Sequence, residues 1–535
     1  MRKLVKRLLY PVIIIERLVD AGRRMLPTRD DFRSLLSCLK HHSNKFYCMR
    51  RSWKKLPSKP RHFLGNMAVG LAIALFLHAF HNIALLSEIE DTAVDWMVGI
   101  YKGTVSDDRS IPLGWVDIDD KTYEQWQAPL YIPRDRLAQL MCFVLRSDPK
   151  MLLIDVDLAA RGHGKEFDRP VINLIKEYNN HCNEKPLLSD PDCPPIIFAA
   201  SLRRSDTDQV IQRKSHIDEL VDQSGHLFWA SPSFDRDTDG MTRRWRLWDA
   251  VCRDDQPVAL PSFQLLAANL LTNDTERAYQ NLSCLNSFLP KTCTRVPDHK
   301  FKISCDFLLW SKKIGKEDQR MELTLDGMAR RIRYTVPWKA NIDRIGGSPT
   351  MIPGVMTYEY QERPLISWMP AYAVPANPNH KCLFADNSLQ HSNALNNRAV
   401  FIGGSFGEGR DSHNTPLGEM PGVLIIINAL HSLLQHSELK QIEWYWFGLI
   451  ETGLIFVISF LFTIWNAFLA KVTSTVTVIV LLLPLSVICF GYGLWLDFAL
   501  PLLGVSIHEF IADIEETRAE HRSIASVGST GKKSE

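Results

Sequence analysis

The sequence predicts an α/β protein in which a mostly parallel-sheet domain lies outside the cytoplasm and is joined to a four-helix transmembrane part. Three observations support this prediction. Between residues 87 and 441, short apolar runs alternate with helical stretches, which is typical of βαβ units. Four apolar stretches are long enough for the roughly 20 helical residues that a bilayer requires. The chain also opens with a strongly basic segment.

That segment, residues 1–62, holds 17 Lys and Arg but only four acidic residues. Apolar positions such as Leu4, Leu8 and Val12 alternate with basic ones, which predicts an amphipathic segment on the anionic cytoplasmic leaflet of membrane lipids. A solvated basic tail that only sets the topology explains the pattern equally well. Nucleic-acid binding is the less favoured interpretation, because an apolar segment follows the arm directly.

The apolar stretches divide the chain into membrane and non-membrane parts. They are Leu64–Leu86, Trp444–Phe468, Val472–Tyr492 and Leu494–Ala512. The first is expected to be an anchor, since about sixty residues precede it and a signal peptide has a far shorter leading region. Asp497, Pro501 and His508 interrupt the last, so a re-entrant or tilted helix is the alternative there. The predicted organisation is a basic arm at 1–62, a span at 63–86, an extracytoplasmic domain at 87–441 with an insertion at 272–335, three spans at 442–512 and a short cytoplasmic tail at 513–535.

Charge and cysteine usage give the orientation. Lys and Arg residues cluster just before the first span, and the positive-inside rule places that end in the cytoplasm. Residues 87–441 are therefore expected outside a bacterial inner membrane, with both termini in the cytoplasm. An oxidising compartment permits disulfides there. Cys182 with Cys193 is one candidate pair, and two of Cys284, Cys293 and Cys305 form another, although connectivity does not follow from sequence.

Hydrophobic periodicity gives the elements of the external domain in order. Helices are predicted over Leu86–Tyr101, Arg134–Leu145, Phe167–Tyr178 and Leu417–Leu434, and strands over Ile111–Asp119, Met151–Leu158, Pro195–Ala200, Gly225–Ala230 and Ala399–Gly403.

Several short motifs occur in a distinctive order. They are WVDIDD at 115–120, DTDGMTR at 237–243, VFIGGS at 400–405, TPLG at 415–418 and PGV at 421–423, followed at once by three spans. This order resembles the CHASE2 family of extracytoplasmic sensory domains. The resemblance implies a sensor whose domain is followed by three membrane helices. One turn departs from the family pattern, since the chain has Trp126 and a longer run before Pro133 and Arg134 where the family has a Trp-Pro-Trp-Pro-Arg-like turn.

Acidic residues end two of the predicted strands. Carboxyl ends of parallel strands share one edge of a sheet, where ligands of open α/β sheets bind. The functional hypothesis is a ligand or cation site countered by Arg134 or Arg243, and the alternative is that these acids cap helices and fix loops. Gly404 and Ser405 follow another strand, where glycine permits close backbone approach to a ligand. The candidate ligand-binding residues are Asp119, Asp120, Arg134, Asp155, Asp157, Asp239, Arg243, Gly404 and Ser405.

An enzyme is the disfavoured interpretation. Asp155 and Asp157 resemble the start of a magnesium site, but the placed Lys and further acid pair that phosphotransfer requires are not evident. Walker A and G-x-S-x-G spacings are also lacking. We therefore expect no catalytic residues, metal or cofactor.

The leading hypothesis is a membrane-anchored sensor or receptor component. Family members commonly continue into a cyclase or kinase, whereas this sequence ends about 23 residues after its last span. The signal is therefore expected to pass to a separately encoded protein partner, and a homo-oligomer is compatible with the pattern. The alternative is a non-enzymatic structural or scaffold subunit of an envelope complex.

Overall fold

The structure is a computed structural model, and it divides the chain into two compact units. The helical unit comprises Met1–Val94 with Lys440–Glu535, and the sheet unit comprises Asp95–Leu439. The described residues are 57–80, 83–101, 111–160, 164–185, 187–188, 193–206, 209–286, 289, 308–311, 319–322, 329–338, 366–375, 392–436, 439–442, 444–465, 467–508, 510, 511, 514 and 517. The predicted amphipathic arm therefore lies outside the described residues.

The described strands are, in chain order, β1 Leu113–Ile118, β2 Met151–Asp155, β3 Ile196–Ala199, β4 Leu202–Arg204, β5 Val210–Gln212, β6 Leu227–Ala230, β7 Phe234–Asp235, β8 Arg244–Arg246, β9 Trp248–Arg253, β10 Gln256–Pro261, β11 Leu308–Ser311, β12 Gln319–Glu322, β13 Ala329–Arg331, β14 Ile366–Pro370, β15 Ala399–Gly404, β16 Ser412–Thr415, β17 Gly418–Pro421, β18 Lys440–Gln441 and β19 Leu494–Trp495.

The described helices are α1 Ser58–Ala79, α2 Ala84–Tyr101, α3 Asp120–Gln125, α4 Arg134–Leu145, α5 Lys165–Cys182, α6 Asp218–Asp222, α7 Phe263–Thr272, α8 Thr275–Asn286, α9 Gly422–His436, α10 Trp444–Ile464, α11 Ala467–Gly491 and α12 Ala499–His508. Two short 3₁₀ turns cover Ala371–Ala373 and Gly407–Gly409.

A six-stranded sheet forms the centre of the sheet unit, in the order β14-β1-β15-β2-β3-β6. Every neighbouring pair in it is parallel, and Gly403 of β15 stands opposite Asp155 of β2. All residues of β1, β3 and β14 are buried, because a parallel sheet is covered on both faces. The α/β class and the parallel sheet predicted from sequence are therefore confirmed.

Helices cover the two faces of this sheet. On one face, α4 and α5 contribute Leu137 and Val171 to a core that includes Val116 and Ile154 of the strands. On the other face, α9 approaches closely and also packs against α7. A Cβ atom added at Gly403 would lie 2.9 Å from Val423 of α9, so this contact requires glycine.

Two smaller sheets flank the central one. The four-stranded sheet has the order β10-β9-β5-β4, and the three-stranded sheet has the order β13-β8-β7. The sequence did not predict these strands as sheet elements, because most are only two to six residues long and carry Arg and Asp instead of an uninterrupted apolar run. The predicted insertion at 272–335 contributes β13 to the three-stranded sheet.

The helix predicted over Leu417–Leu434 begins later than expected, at Gly422. Residues before it form the β16–β17 hairpin, whose turn places Gly418 at φ +100°. Because this backbone conformation favours glycine and breaks a helix, the hairpin ends before the helix can start. The helix over Arg134–Leu145 has the predicted bounds.

The helical unit contains three described helices that are long and apolar enough to cross a membrane, which are α1, α10 and α11. They correspond to the first three predicted spans. The fourth predicted span, Leu494–Ala512, contains the strand β19 and the shorter apolar helix α12. Asp497 interrupts the stretch because its carboxylate accepts the backbone N–H of Ala499, 2.8 Å away, as a cap. A complete fourth crossing stays a prediction.

The predicted disulfide between Cys182 and Cys193 is confirmed. It joins the end of α5 to the segment that leads into β3. Cys284 is also disulfide-bonded, while its candidate partners Cys293 and Cys305 lie outside the described residues. Two cysteines that the sequence did not single out as pairing candidates, Cys142 and Cys252, are disulfide-bonded as well.

Candidate ligand-binding site

A cavity of about 630 Å³ opens at the carboxyl edge of the central sheet. Ile118, Asp155 and Gly404 line it at the ends of β1, β2 and β15. Strand β4 and the segment from Pro232 to Asp235 line it from another side. Its position and volume are typical of small-molecule sites in open α/β sheets.

The environment of the cavity strongly affects the pKa of Asp155. It is half-buried at the end of β2, and its carboxylate makes no hydrogen bond with another described residue. Burial, together with the nearby negative charge of Asp411, raises the pKa of Asp155 to about 8. The Asp155 carboxyl group is therefore largely protonated at neutral pH and exposed to whatever enters the cavity.

Asp157 also lines the cavity, but it has a local structural role. One carboxylate oxygen accepts the backbone N–H of Ala159 at 2.9 Å, and the other accepts the Ser201 hydroxyl at 3.4 Å. It thereby fixes the loop that follows β2. Among the described residues, no group of three or more His, Cys, Asp or Glu side chains is arranged to hold a metal ion.

Buried ion pairs close one wall of the cavity. The Arg246 side chain, only 7% exposed, donates to Asp249 at 3.0 Å and to Asp235 at 3.3 Å. The Ser231 hydroxyl donates to Asp249 at 2.6 Å. Burial raises the pKa of Asp249, and these two donors oppose that effect. These four polar side chains are thus hydrogen-bonded to one another within the fold.

Three predicted site residues fix loops beside the cavity and do not line it. Asp119 caps α3 by accepting the backbone N–H of Thr122 at 2.9 Å. Asp120 accepts the backbone N–H of Gly407 at 2.8 Å, and Ser405 donates its hydroxyl to the buried Asp117 at 2.8 Å. The contacts of Asp119 and Asp120 are therefore those of the structural alternative, in which these acids cap helices and fix loops.

Arg134 does not counter the acids at the strand ends. Its Nε donates to Asp168 of α5 at 2.8 Å, and one terminal nitrogen donates to the backbone carbonyl of Asp157 at 2.9 Å. His216 contacts the other oxygen of Asp168 at 2.6 Å. The buried Arg134 thus joins the start of α4 to α5.

Arg243 is also away from the cavity, in a cluster of three carboxylates. Its Nε and one terminal nitrogen bind Asp95 of α2, with a closest distance of 2.8 Å. Its remaining N–H groups bind Asp237 at 3.0 Å and Asp239 at 2.7 and 2.9 Å. The arrangement uses all the donors of the guanidinium group. The hydrogen bond from Arg243 lowers the pKa of Asp239.

Except for Asp95, the residues of this cluster lie on the 234–246 hairpin, defined as β7, β8 and the turn between them. The turn is closed by a hydrogen bond of 2.9 Å from the Gly240 N–H to the Asp237 carbonyl, with Gly240 at φ +80°. Phe234, Asp235 and Arg246 of the same hairpin line the cavity. One short element therefore contacts both the cavity and the Asp95–Tyr101 segment of α2.

A second contact fastens that segment of α2. The guanidinium group of Arg333 lies 4.9 Å from the centre of the Tyr101 ring, within cation–π distance. The backbone N–H of Ile332 donates to the carbonyl of Arg243 at 2.8 Å, which joins the two contacts.

Of the nine predicted site residues, three line the cavity: Asp155, Asp157 and Gly404. Sequence reasoning missed several groups that also line it, namely Arg203, Arg204, Asp235, Arg246, Asp249 and Asp411. Asp411 had a sequence signal, since it stands between the motifs at 400–405 and 415–418. The arginines of β4 had none, because they lie on an edge strand that shows no apolar pattern.

Residues 68–464 match the family model of the CHASE2 domain. No curated protein and no solved structure matches the chain. The motif DTDGMTR at 237–243, on which the sequence resemblance partly rests, supplies three members of the Arg243 cluster. The matched region also contains the cavity.

Proposed function

The chain belongs to the CHASE2 family, whose domain is an extracellular sensor module, and from this premise we propose that it is a ligand-binding sensor component of a bacterial inner membrane. The observation that supports this proposal most directly is the cavity of about 630 Å³ at the carboxyl edge of the parallel sheet. Its polar lining combines groups already satisfied by the fold with groups that remain open to a ligand.

In this proposal, the 234–246 hairpin carries the response from the cavity to α2. A ligand that contacts Phe234 or the Arg246–Asp235 pair changes the free energy of the hairpin, and the Arg243–Asp95 contact transmits the change. The boundary between the two units falls within α2, between Val94 and Asp95. A shift of Asp95 therefore acts on a helix whose earlier residues belong to the helical unit.

The remaining parts of the proposal concern topology and partners. The sheet unit lies outside the membrane, both termini are cytoplasmic, and a separately encoded protein receives the signal. The basic arm binds anionic lipid headgroups on the cytoplasmic side. The function is binding and not catalysis, since Asp119, Asp120 and Asp157 make the contacts of loop-fixing groups.

A cavity-filling variant tests the proposal. Ser233 is half-buried and lines the cavity, so Ser233→Trp should fill it. We expect the fraction below 1 kDa of the host's spent growth medium to raise the thermal unfolding midpoint of the full-length protein in nanodiscs. A ligand at about 100 times its Kd adds about 2.7 kcal/mol, which corresponds to a rise of about 4 °C for a unit the size of Asp95–Leu439. Ser233→Trp should abolish that rise.

Gln223→Trp is the matched control, because Gln223 is exposed and does not line the cavity. It should respond like the wild-type protein. A rise that persists in Ser233→Trp would show that the ligand binds elsewhere. No rise with any fraction, together with a stoichiometric protein complex that Ser233→Trp leaves intact, would instead support a scaffold.

A further inference from the structure

Two kinds of ionisable group in the cavity are open to a ligand. The Asp155 carboxyl group makes no hydrogen bond with another described residue, and Asp411, whose Oδ1 lies 2.9 Å from Nε2 of His413, is close enough to raise the pKa of Asp155. The exposed Arg203 side chain makes neither an ion pair nor a hydrogen bond with another described residue. Arg204 is 60% exposed, and its nearest carboxylate oxygen, on Asp235, is 3.8 Å away.

The acidic pair and the basic pair lie on different elements. Asp155 ends β2 of the central sheet, and Asp411 lies between β15 and β16. Arg203 and Arg204 belong to β4, the edge strand of the four-stranded sheet. The cavity therefore presents carboxyl groups that end or follow strands of the central sheet and positive groups from the four-stranded sheet.

Apolar side chains line the cavity together with the ionisable groups. Ile118, Val156, Leu202, Phe234 and Ile426 all line the cavity. Apolar walls of this kind bind aliphatic or aromatic groups, while a few placed polar groups fix the orientation of a ligand.

From these observations we propose that the cavity binds a short peptide with free termini, its ammonium group held by Asp155 and Asp411 and its carboxylate by Arg203 and Arg204. The inference rests on the proposed function, since it names the ligand class of that site. The side chains of the peptide lie against the apolar walls.

A ligand with only one charge fits the lining less well. A simple anion would pair with Arg203 and Arg204 but leave Asp155 and Asp411 facing each other. A simple cation would bind the two carboxyl groups but leave the arginines without a counter-charge. A peptide satisfies both pairs through charge-assisted contacts.

Three matched probes test the proposal by isothermal titration calorimetry on the full-length protein in nanodiscs. They are trialanine, N-acetyl-trialanine, which lacks the ammonium group, and trialanine amide, which lacks the carboxylate. We expect trialanine to bind, and each modification to weaken binding by about 10- to 100-fold.

Two variants test which side chains bind the ammonium end of the peptide and which bind its carboxylate end. In the double variant Asp155→Asn/Asp411→Asn, acetylation of the probe should change the affinity by less than about threefold, while amidation keeps its full effect. In the double variant Arg203→Gln/Arg204→Gln, amidation should lose its effect and acetylation should keep it. Each variant serves as the control for the other. Both must still bind trialanine more tightly than the probe that is modified at the end whose binding residues were not changed.

Failure of trialanine to bind, or tighter binding after acetylation, would overturn the peptide assignment. Spent medium that still stabilises the wild-type protein but not Ser233→Trp would then leave the sensor proposal standing with another ligand class. If spent medium also failed to stabilise the wild-type protein, both proposals would be rejected.

Discussion

Replacing Arg243 with Met should lower the free energy of unfolding by about 3 kcal/mol and uncouple α2 from the cavity. The Arg243 side chain is 6% exposed, and its removal leaves Asp95, Asp237 and Asp239 together without their shared cation. Breaking a buried ion pair by removing one partner costs about 3–5 kcal/mol, and the partial exposure of the three carboxylates places this case at the lower end. Denaturant unfolding of the full-length protein in detergent measures the loss.

The coupling is measured separately, by hydrogen exchange of α2 before and after addition of spent medium. In the wild-type protein, exchange within Asp95–Tyr101 should change, and in Arg243→Met it should not. Arg253→Met is the matched control, since Arg253 pairs with the exposed Asp222 at 2.6 Å. That variant should lose less than about 1 kcal/mol and retain the response. An unchanged response of α2 in Arg243→Met would exclude the hairpin as the route of transmission.

Replacing Asp155 with Asn should stabilise the protein, and the gain should grow as the pH rises from about 4 to about 8. Asp155 has a pKa of about 8 in the folded protein, against an ordinary value of 3.8 for this carboxyl group. Between these values, the folded state holds a proton that the unfolded state has released, so wild-type stability falls as the pH rises. Asn carries no charge and avoids this loss. We expect a gain of about 2 kcal/mol or more at pH 8.

The pH profile is read from thermal unfolding midpoints of the full-length protein between pH 4 and pH 9. Above pH 8 the difference between Asp155→Asn and the wild-type protein should level off, because both states of Asp155 are then ionised. Asp206→Asn, at an exposed position outside the cavity, controls for the change in net charge. A difference that shrinks as the pH rises would contradict a raised pKa of the Asp155 carboxyl group.

The elements of the central sheet followed from sequence because their signals are local. Apolar runs at β2, β3 and β15 are buried on both faces, so they stand out without any knowledge of their neighbours. The helix Arg134–Leu145 was predicted with its observed bounds, since Pro133 marks its start. The helix predicted from Leu417 begins five residues later, because a hairpin with Gly418 in its turn precedes it.

The candidate site was only partly predictable, because its contacts join distant parts of the chain. Arg243 was singled out from its motif, but its partner Asp95 is 148 positions away and on a different element. Arg134 was one of two arginines expected to counter the rim acids, whereas the fold pairs it with Asp168 of α5. Asp155 was identified because the end of a parallel strand is a position that sequence does define.

The central claim is that the domain bearing the cavity faces the exterior, and labelling of intact cells tests it most directly. Gln256 of β10 is exposed in the sheet unit, and Ser58 is exposed at the start of α1. A membrane-impermeant maleimide should label Gln256→Cys in intact cells above the wild-type background, and should label Ser58→Cys only after permeabilisation. Labelling of Gln256→Cys only after permeabilisation would place the cavity in the cytoplasm and contradict the account.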